Sequence, residues 1–264
     1  MSRHSTNSPL GNGVKSAQRT LDVLEILAHS ERALSHAELA SRAAVPKSSL
    51  TQLLRTLQAR DYVESMGPNG PYRLGASAVN LIRHGQDIRR LVASARPHME
   101  RLALGTRYSA GLNILRGDIV ERILGVTADE ASGYAMHEGV RAPLYASSSG
   151  KLFLAHMKSE DMTSYLDRVQ LRPITSRSLK SASELRRQIR LAREEGVAYS
   201  RDEFTRGIVG ASVPVVSAHG RMIASLGLAV PSAEFDAQKD TVLTHLRKAA
   251  HGISTQLSAA RTAP

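Results

Sequence analysis

Between residues 34 and 74 the chain carries a run of local signals that leaves few folds open to it. Ser35 stands three residues before Glu38, the spacing of a capping box in which hydroxyl and carboxylate satisfy each other's backbone amides, and Leu34 is placed to staple onto Leu39. The helix they open is short and ends near Ala43. After Ala44 and Val45 comes Pro46, which suits the first turn of a helix because its missing donor would lack a partner there anyway. From Pro46 to about residue 59, Leu50, Leu53, Leu54 and Leu57 fall on one face. Tyr62-Val63-Glu64 and Tyr72-Arg73-Leu74 are β-prone runs separated by the turn signal Gly67-Pro68-Asn69-Gly70, so a hairpin follows. Upstream, Ala17, Leu21, Leu24, Leu27 and Ala28 recur at helical spacing and predict an amphipathic helix over 15–29. Helix, short helix, tight turn, helix, hairpin is the order of a winged helix-turn-helix.

The polar face of the 46–59 helix has the chemistry of a DNA reader. A major groove accepts one helix, base edges are read by short polar side chains near its start, and lysine and arginine hold phosphates. Ser48, Ser49, Thr51 and Gln52 are of the first kind, Lys47 and Arg55 of the second. Any surface helix has a polar face, but the capped helix before this one and the hairpin after it favour DNA reading. Arg73 is either a wing contact or a plain surface arginine. The formal charge of +11 adds little, because it is spread: residues 1–75 hold 9 Lys/Arg against 6 Asp/Glu, 76–107 hold 6 against 2, and 108–264 hold 20 against 16. A solvated basic surface explains it as well as nucleic acid does.

The remaining chain is organised around a second core. Residues 1–13 are polar and rich in Ser, Asn, Gly and Pro, and read as a flexible tail before a DNA-binding domain over 14–75. Residues 75–105 read as helical, interrupted by Pro97 and weakened by Gly85, with 76–95 as an interdomain linker. Beyond them, strand-like runs at 111–115, 119–126, 210–216 and 222–230 alternate with helical ones at 150–156, 183–195 and 236–257. They predict a mixed sheet with helices in a domain over 96–258. The absence of cysteine excludes disulfides and thiolate chemistry, and no apolar run reaches the roughly 18 residues of a membrane span. A soluble, cytoplasmic protein is expected. The ten histidines include no H-E-x-x-H and no dinucleotide fingerprint is present, so neither metal nor cofactor is expected.

In Ala146-Ser147-Ser148-Ser149-Gly150-Lys151, hydroxyl residues precede an apolar helix. Backbone donors and hydroxyls gathered at a helix start suit an anion, although simple capping needs only one of these serines. Ser148 to Lys151 also matches the S-x-x-K of serine acyltransferases, an alternative that makes the second domain an acyl hydrolase; its companions S-D-N and K-T-G are absent. Gly150-Lys151 is not a phosphate loop, since Tyr145 replaces the leading glycine and Leu152 follows the lysine.

The segments VKSAQRTLDVLEILAH, LSHAELASRAAVPKSSLTQLLRTLQARDYVES and PYRLG resemble the N-terminal domain of the IclR family of bacterial transcriptional regulators. LNILRGDIVERI, GVRAPLYASSSGKLFLA, REEGVAYSRDEFTRGIVGASVPV and GRMIASLGLAVP follow in the order of that family's effector-binding domain, so the resemblance covers about residues 14–257. It implies an α+β protein: a winged helix-turn-helix, a helical linker and a C-terminal GAF-like α/β domain that binds a small carboxylate effector. It also implies a homodimer, or a tetramer built as a dimer of dimers, on a palindromic operator, and no catalysis. In the family the 146–150 loop borders the effector, and the stretch holding Asp202, Glu203, Gly207 and Gly210 closes the pocket. Asp202 and Glu203 are open to reading as acid and base, as metal ligands or as loop charges. Gly210 stands where some relatives carry a polar or thiol side chain, and Gly227 and Ala229 where some have serines, which implies a roomier, less polar pocket suited to an aromatic acid.

Overall fold

The computed structural model describes residues 14–68, 70–128 and 134–259, so the predicted tail and Asn69 of the predicted turn lie outside the described residues. The chain divides into two compact units, 1–87 and 88–264.

In the first unit, α1 (Lys15–Ala28), α2 (His36–Arg42) and α3 (Lys47–Gln58) precede a hairpin of β1 (Val63–Ser65) and β2 (Tyr72–Leu74). The capping box forms: Ser35 Oγ accepts from the Glu38 amide at 3.3 Å, and the Ser35 amide donates to the Glu38 carboxylate at 2.9 Å. Leu34 and Leu39 are both fully buried, in a core with Val23, Leu27, Leu50, Leu54 and Val63. Leu34 also exchanges two backbone hydrogen bonds with Tyr72, which ties the segment before α2 to the hairpin. Pro46 sits one residue earlier than expected, as the extended N-cap residue of α3, its carbonyl accepting from the Leu50 amide. The turn into α3 holds Ala44 at a φ of 51°, in the left-handed region.

The helix α4 (Ala76–Thr106) is continuous through Pro97, contrary to the expected interruption. Ala95, Met99 and Leu102 on either side of Pro97 are buried in the second unit's core, and this packing outweighs the proline's local cost. The compact-unit boundary falls after residue 87, so 88–95 packs with the second core instead of linking to it: Leu91 and Ala95 are buried there.

The second unit adds β3 (Ser109–Arg116), β4 (Ile119–Val126), β5 (Arg141–Pro143), α5 (Ser148–His156), α6 (Ser159–Arg168), α7 (Ala182–Glu195), β6 (Ala198–Arg201), β7 (Ile208–Val216), β8 (Met222–Pro231) and α8 (Ser232–Ala259). Its sheet has the order β5-β4-β3-β8-β7-β6, and every ladder is antiparallel where a mixed sheet was expected. The excursion α5 to α7 carries the chain from β5 at one edge to β6 at the other, after which β6, β7 and β8 simply fold back on one another.

Alternation along the three central strands makes the two sheet faces unlike. Leu112, Ile114, Ala211, Val213, Val215, Leu226, Leu228 and Val230 join α8 and the end of α4 in one hydrocarbon core. The intervening positions, Gly111, Asn113, Gly210, Ser212, Ser225 and Gly227, are small or polar and face the other way, where α5 packs. A second apolar cluster joins α5, α6 and α7.

Candidate functional site

On α3, the buried Leu50, Leu54 and Leu57 turn Lys47, Ser48, Gln52 and Arg55 outward, where they are exposed, with Ser49 and Thr51 half-buried. Thr51 is engaged within the unit: its hydroxyl donates to the Lys47 carbonyl at 2.9 Å and meets His36 Nε2 at 3.0 Å, tying α3 to α2. Arg73 is paired across the hairpin with Glu64, its register partner, so its charge is partly met before any DNA phosphate arrives.

In the second unit, the small-residue face of the sheet and the start of α5 enclose a cavity of about 70 Å³. Ser147 caps α5 by accepting from the Gly150 amide at 3.0 Å. Ser148 and Ser149 each hydrogen-bond Ser212 Oγ, at 2.8 and 3.1 Å, and Asn113 donates to Ser149 Oγ at 3.0 Å. The lining also includes Arg122 of β4, Tyr134 and Met136, with Arg122 and Met136 close over Gly111. Arg122 donates to the His137 carbonyl at 3.4 Å, and its Nε is buried without a hydrogen-bond partner among the described residues. Burial lowers the Arg122 guanidinium from its ordinary value, and Tyr134 beside it opposes that shift.

Of the residues expected at the effector, Ser147, Ser148, Ser149, Gly210, Gly227 and Ala229 line this cavity. Ala146 and Gly150 lie behind its wall. The Ala146 carbonyl accepts from Ser200 Oγ at 2.7 Å, and a Cβ on Gly150 would lie 2.4 Å from the Leu144 backbone. The glycines do not leave the open, apolar space expected of them. A Cβ on Gly210 would meet Ser148 Oγ at 2.9 Å and one on Gly227 would meet Ser212 Oγ at 2.7 Å, so hydroxyls fill both places.

Asp202 and Glu203 do not line the cavity; they brace the loop beside it. Asp202, at a φ of 58°, accepts from the Gly207 amide at 2.6 Å and from Ser232 Oγ at 3.0 Å. Glu203 is 4% exposed and Lys151 1%; their charges meet at 2.5 Å, and Lys151 also donates to the Tyr199 carbonyl at 2.9 Å. Burial pulls the Lys151 ammonium down from its ordinary value while Glu203 holds it up. Ser148 and Lys151 therefore do not form a nucleophile and base: each already has another partner. Asn113, Arg122, Tyr134 and Ser212 went unnoticed in the sequence. The signal was present in the strand alternation, where A-G-L-N-I and G-A-S-V place small and polar residues on every second position.

Comparison with known proteins agrees with both halves. Residues 84–255 match the family model for the bacterial transcriptional regulator IclR C-terminal domain, and residues 16–66 match the IclR helix-turn-helix domain. The chain is similar to the HTH-type transcriptional regulator BhcR of Paracoccus denitrificans, at 29% identity over 95% of this chain and 91% of the relative. It is similar also to the acetate operon repressor of Salmonella typhimurium, at 26% identity over 90% and 88%. Among solved structures, an IclR homolog complexed with 4-hydroxybenzoate from Microbacterium hydrocarbonoxydans superposes with a TM-score of 0.62 at 28% identity, covering 92% of this chain and 98% of that one. These relatives are regulators of transcription, and nothing among them favours an acyl hydrolase. With its helix-turn-helix and its ligand-binding domain both matched, the chain belongs to the IclR family of DNA-binding transcriptional regulators.

Proposed function

We propose that this regulator reads a palindromic operator as a homodimer or dimer of dimers in the cytoplasm, and that a small aromatic acid in the second unit's cavity alters that binding. The observation that carries the effector reading is the cavity itself. Hydroxyls, an amide and one guanidinium stand among apolar side chains such as Val120, Val140, Phe204 and Ile208, with no carboxylate among the described lining residues to repel an anion. The similar structure that holds 4-hydroxybenzoate supports an aromatic acid. A volume of about 70 Å³ is less than the roughly 150 Å³ that accepts benzene, so a ring has to displace part of the lining. Met136 and Phe204, both in the wall, are the mobile candidates, and that displacement is the step that registers the ligand.

The DNA reading rests on α3. Gln52 is of the type that reads base edges and Lys47 of the type that holds phosphates. Gln52→Ala should cost about 1–3 kcal/mol at one operator position and leave random DNA unaffected. Lys47→Ala should weaken all DNA and lower the salt slope by about one. Titrations at several salt concentrations, with and without 4-hydroxybenzoate, test both halves. Wild-type behaviour in both variants would remove α3 as reader, and DNA affinity indifferent to every acid tried would remove the effector.

A further inference from the structure

Gly111 on β3 pairs directly with Gly227 on β8, and directly opposed residues of antiparallel strands project to one face with Cβ positions about 4.5–5.5 Å apart. Two glycines in register therefore form a strip of sheet with no side chains of its own, over which its neighbours close: Arg122 and Met136 at Gly111, Ser212 at Gly227. Each margin of the strip carries a hydrogen-bond donor. Arg122 Nε lies 2.8 Å from where a Cβ of Gly111 would stand, and Ser212 Oγ lies 2.7 Å from that of Gly227. Arg122 reaches this place because it pairs with Asn113, two residues along the same face from Gly111, across the register shift at Leu112/Asn113. Arg122, Met136 and Ser212 all line the cavity, so a carboxylate that pushes Met136 aside would take one hydrogen bond of about 2.8 Å from the cation and one from the hydroxyl.

Both margins have a donor to spare. Arg122 Nε has no partner among the described residues. Ser148, Ser149 and Ser212 own three hydroxyl protons, while the bonds from Ser148 and from Ser149 to Ser212 consume two, and Asn113 brings a further donor of its own to Ser149. One hydroxyl proton is left for a guest. The α5 backbone is a poorer anchor, because Ser147 already takes the Gly150 amide.

We infer that the acid's carboxylate lies on the Gly111–Gly227 strip, held by Arg122 Nε on one side and by the Ser148–Ser212–Ser149 cluster on the other, so that Arg122 selects acids over their neutral isosteres. This rests on the cavity being the effector site. It differs from an anion seated at the α5 terminus, and it assigns the specificity to a β4 residue outside the serine loop.

The test is calorimetry on the full chain with 4-hydroxybenzoate and 4-hydroxybenzamide as probes. Wild type should prefer the acid by at least about tenfold, the range of one hydrogen bond to a charged group. Arg122→Met should lose about 10- to 100-fold in affinity for the acid, keep the amide within a few-fold, and so erase the preference. Arg122→Lys keeps the charge without the planar fork and should fall between. Ser212→Ala should weaken the acid while preserving its preference over the amide. Should the methionine variant not fold, Arg122→Lys decides: an acid-to-amide ratio equal to wild type overturns the inference. So does a methionine variant that still binds the acid like wild type, or a wild type that takes acid and amide alike. If wild type binds neither probe, the cavity is not a site for such acids and the proposed effector fails together with this inference; acid binding by wild type with unchanged variants sinks this inference alone.

Discussion

Lys151 and Glu203 place opposite charges where water does not reach, and the cost of that placement decides what the pair is for. Desolvating two ions consumes most of what their attraction returns, so the pair adds little net stability, yet removing one member strands the other. Lys151 lies on α5 and Glu203 beside Phe204 and Thr205 of the cavity wall, so the pair clamps the serine-bearing helix to the loop opposite. Glu203→Gln or Lys151→Met alone should cost about 3–5 kcal/mol in the second unit. The double variant Lys151→Met/Glu203→Leu should recover most of that loss. Scanning calorimetry on the full chain reads both, and additive losses in the double variant would show that no such coupling exists. At the surface the sign of a charge effect is set by pH. Glu38, bonded by Arg32 and by the Ser35 amide and hydroxyl, is held down to about 2 from the ordinary carboxylate value. A depressed carboxylate contributes stability above its unfolded value, near 4.5, and loses it as pH falls toward 2. The first unit's melting temperature should therefore drop over pH 4.5 to 2 more steeply in wild type than in Glu38→Gln. Parallel curves would show that the capping box carries no such linkage.

Elements differ in how much of themselves they write locally. The turn between α2 and α3 places Ala44 in the left-handed region, which an L side chain with a Cβ adopts at a cost of about 1 kcal/mol. Ala44→Gly should relieve it and stabilise the first unit by up to about 0.6 kcal/mol once the glycine's added unfolded-state freedom, about 0.4–1 kcal/mol, is deducted. A lower melting temperature for that variant would mean that the alanine methyl does more packing than its conformation costs. The same locality explains why the winged helix was legible: the Ser35 and Glu38 pair, Pro46 and the leucine spacing of α3 each act within one or two turns. The second unit writes less of itself that way. β5 and β6 are edge strands of three and four residues, too short for a period to show, and α6 is a ten-residue helix among polar residues. The site is harder still to read. Arg122 meets Gly111 only through a register shift between two strands, and Ser212 meets Ser148 across 64 residues of chain. Asp202 and Glu203 looked functional because they are adjacent carboxylates, but Asp202 closes a local turn onto Gly207, and Glu203 finds a lysine 52 residues away in sequence.

At the scale of the whole molecule the question is how few base-reading side chains can specify a site. One α3 exposes Ser48 and Gln52, with Ser49 half-buried, as groups able to contact base edges, and one good bidentate contact discriminates by about 1–3 kcal/mol. Specific sites are distinguished from random DNA by about 4–10 kcal/mol, more than one such helix supplies. Two copies reading a repeated half-site double the discrimination, and for a two-fold dimer that repeat is a palindrome. Rigid geometry then fixes the spacing: half-site centres should lie about 34 Å apart or at a multiple of that distance, so both helices meet the same face of the duplex. Inserting about five base pairs between the half-sites turns one by half a helical turn and should abolish tight binding, while about ten should restore part of it. The excess of positive charge would hold the protein on either DNA at low salt, so the comparison belongs near physiological ionic strength. Mass photometry gives the stoichiometry in the same experiment. One chain on an asymmetric site, or affinity indifferent to the five-base-pair insertion, would replace the dimeric reader with a single winged helix whose specificity comes from DNA shape.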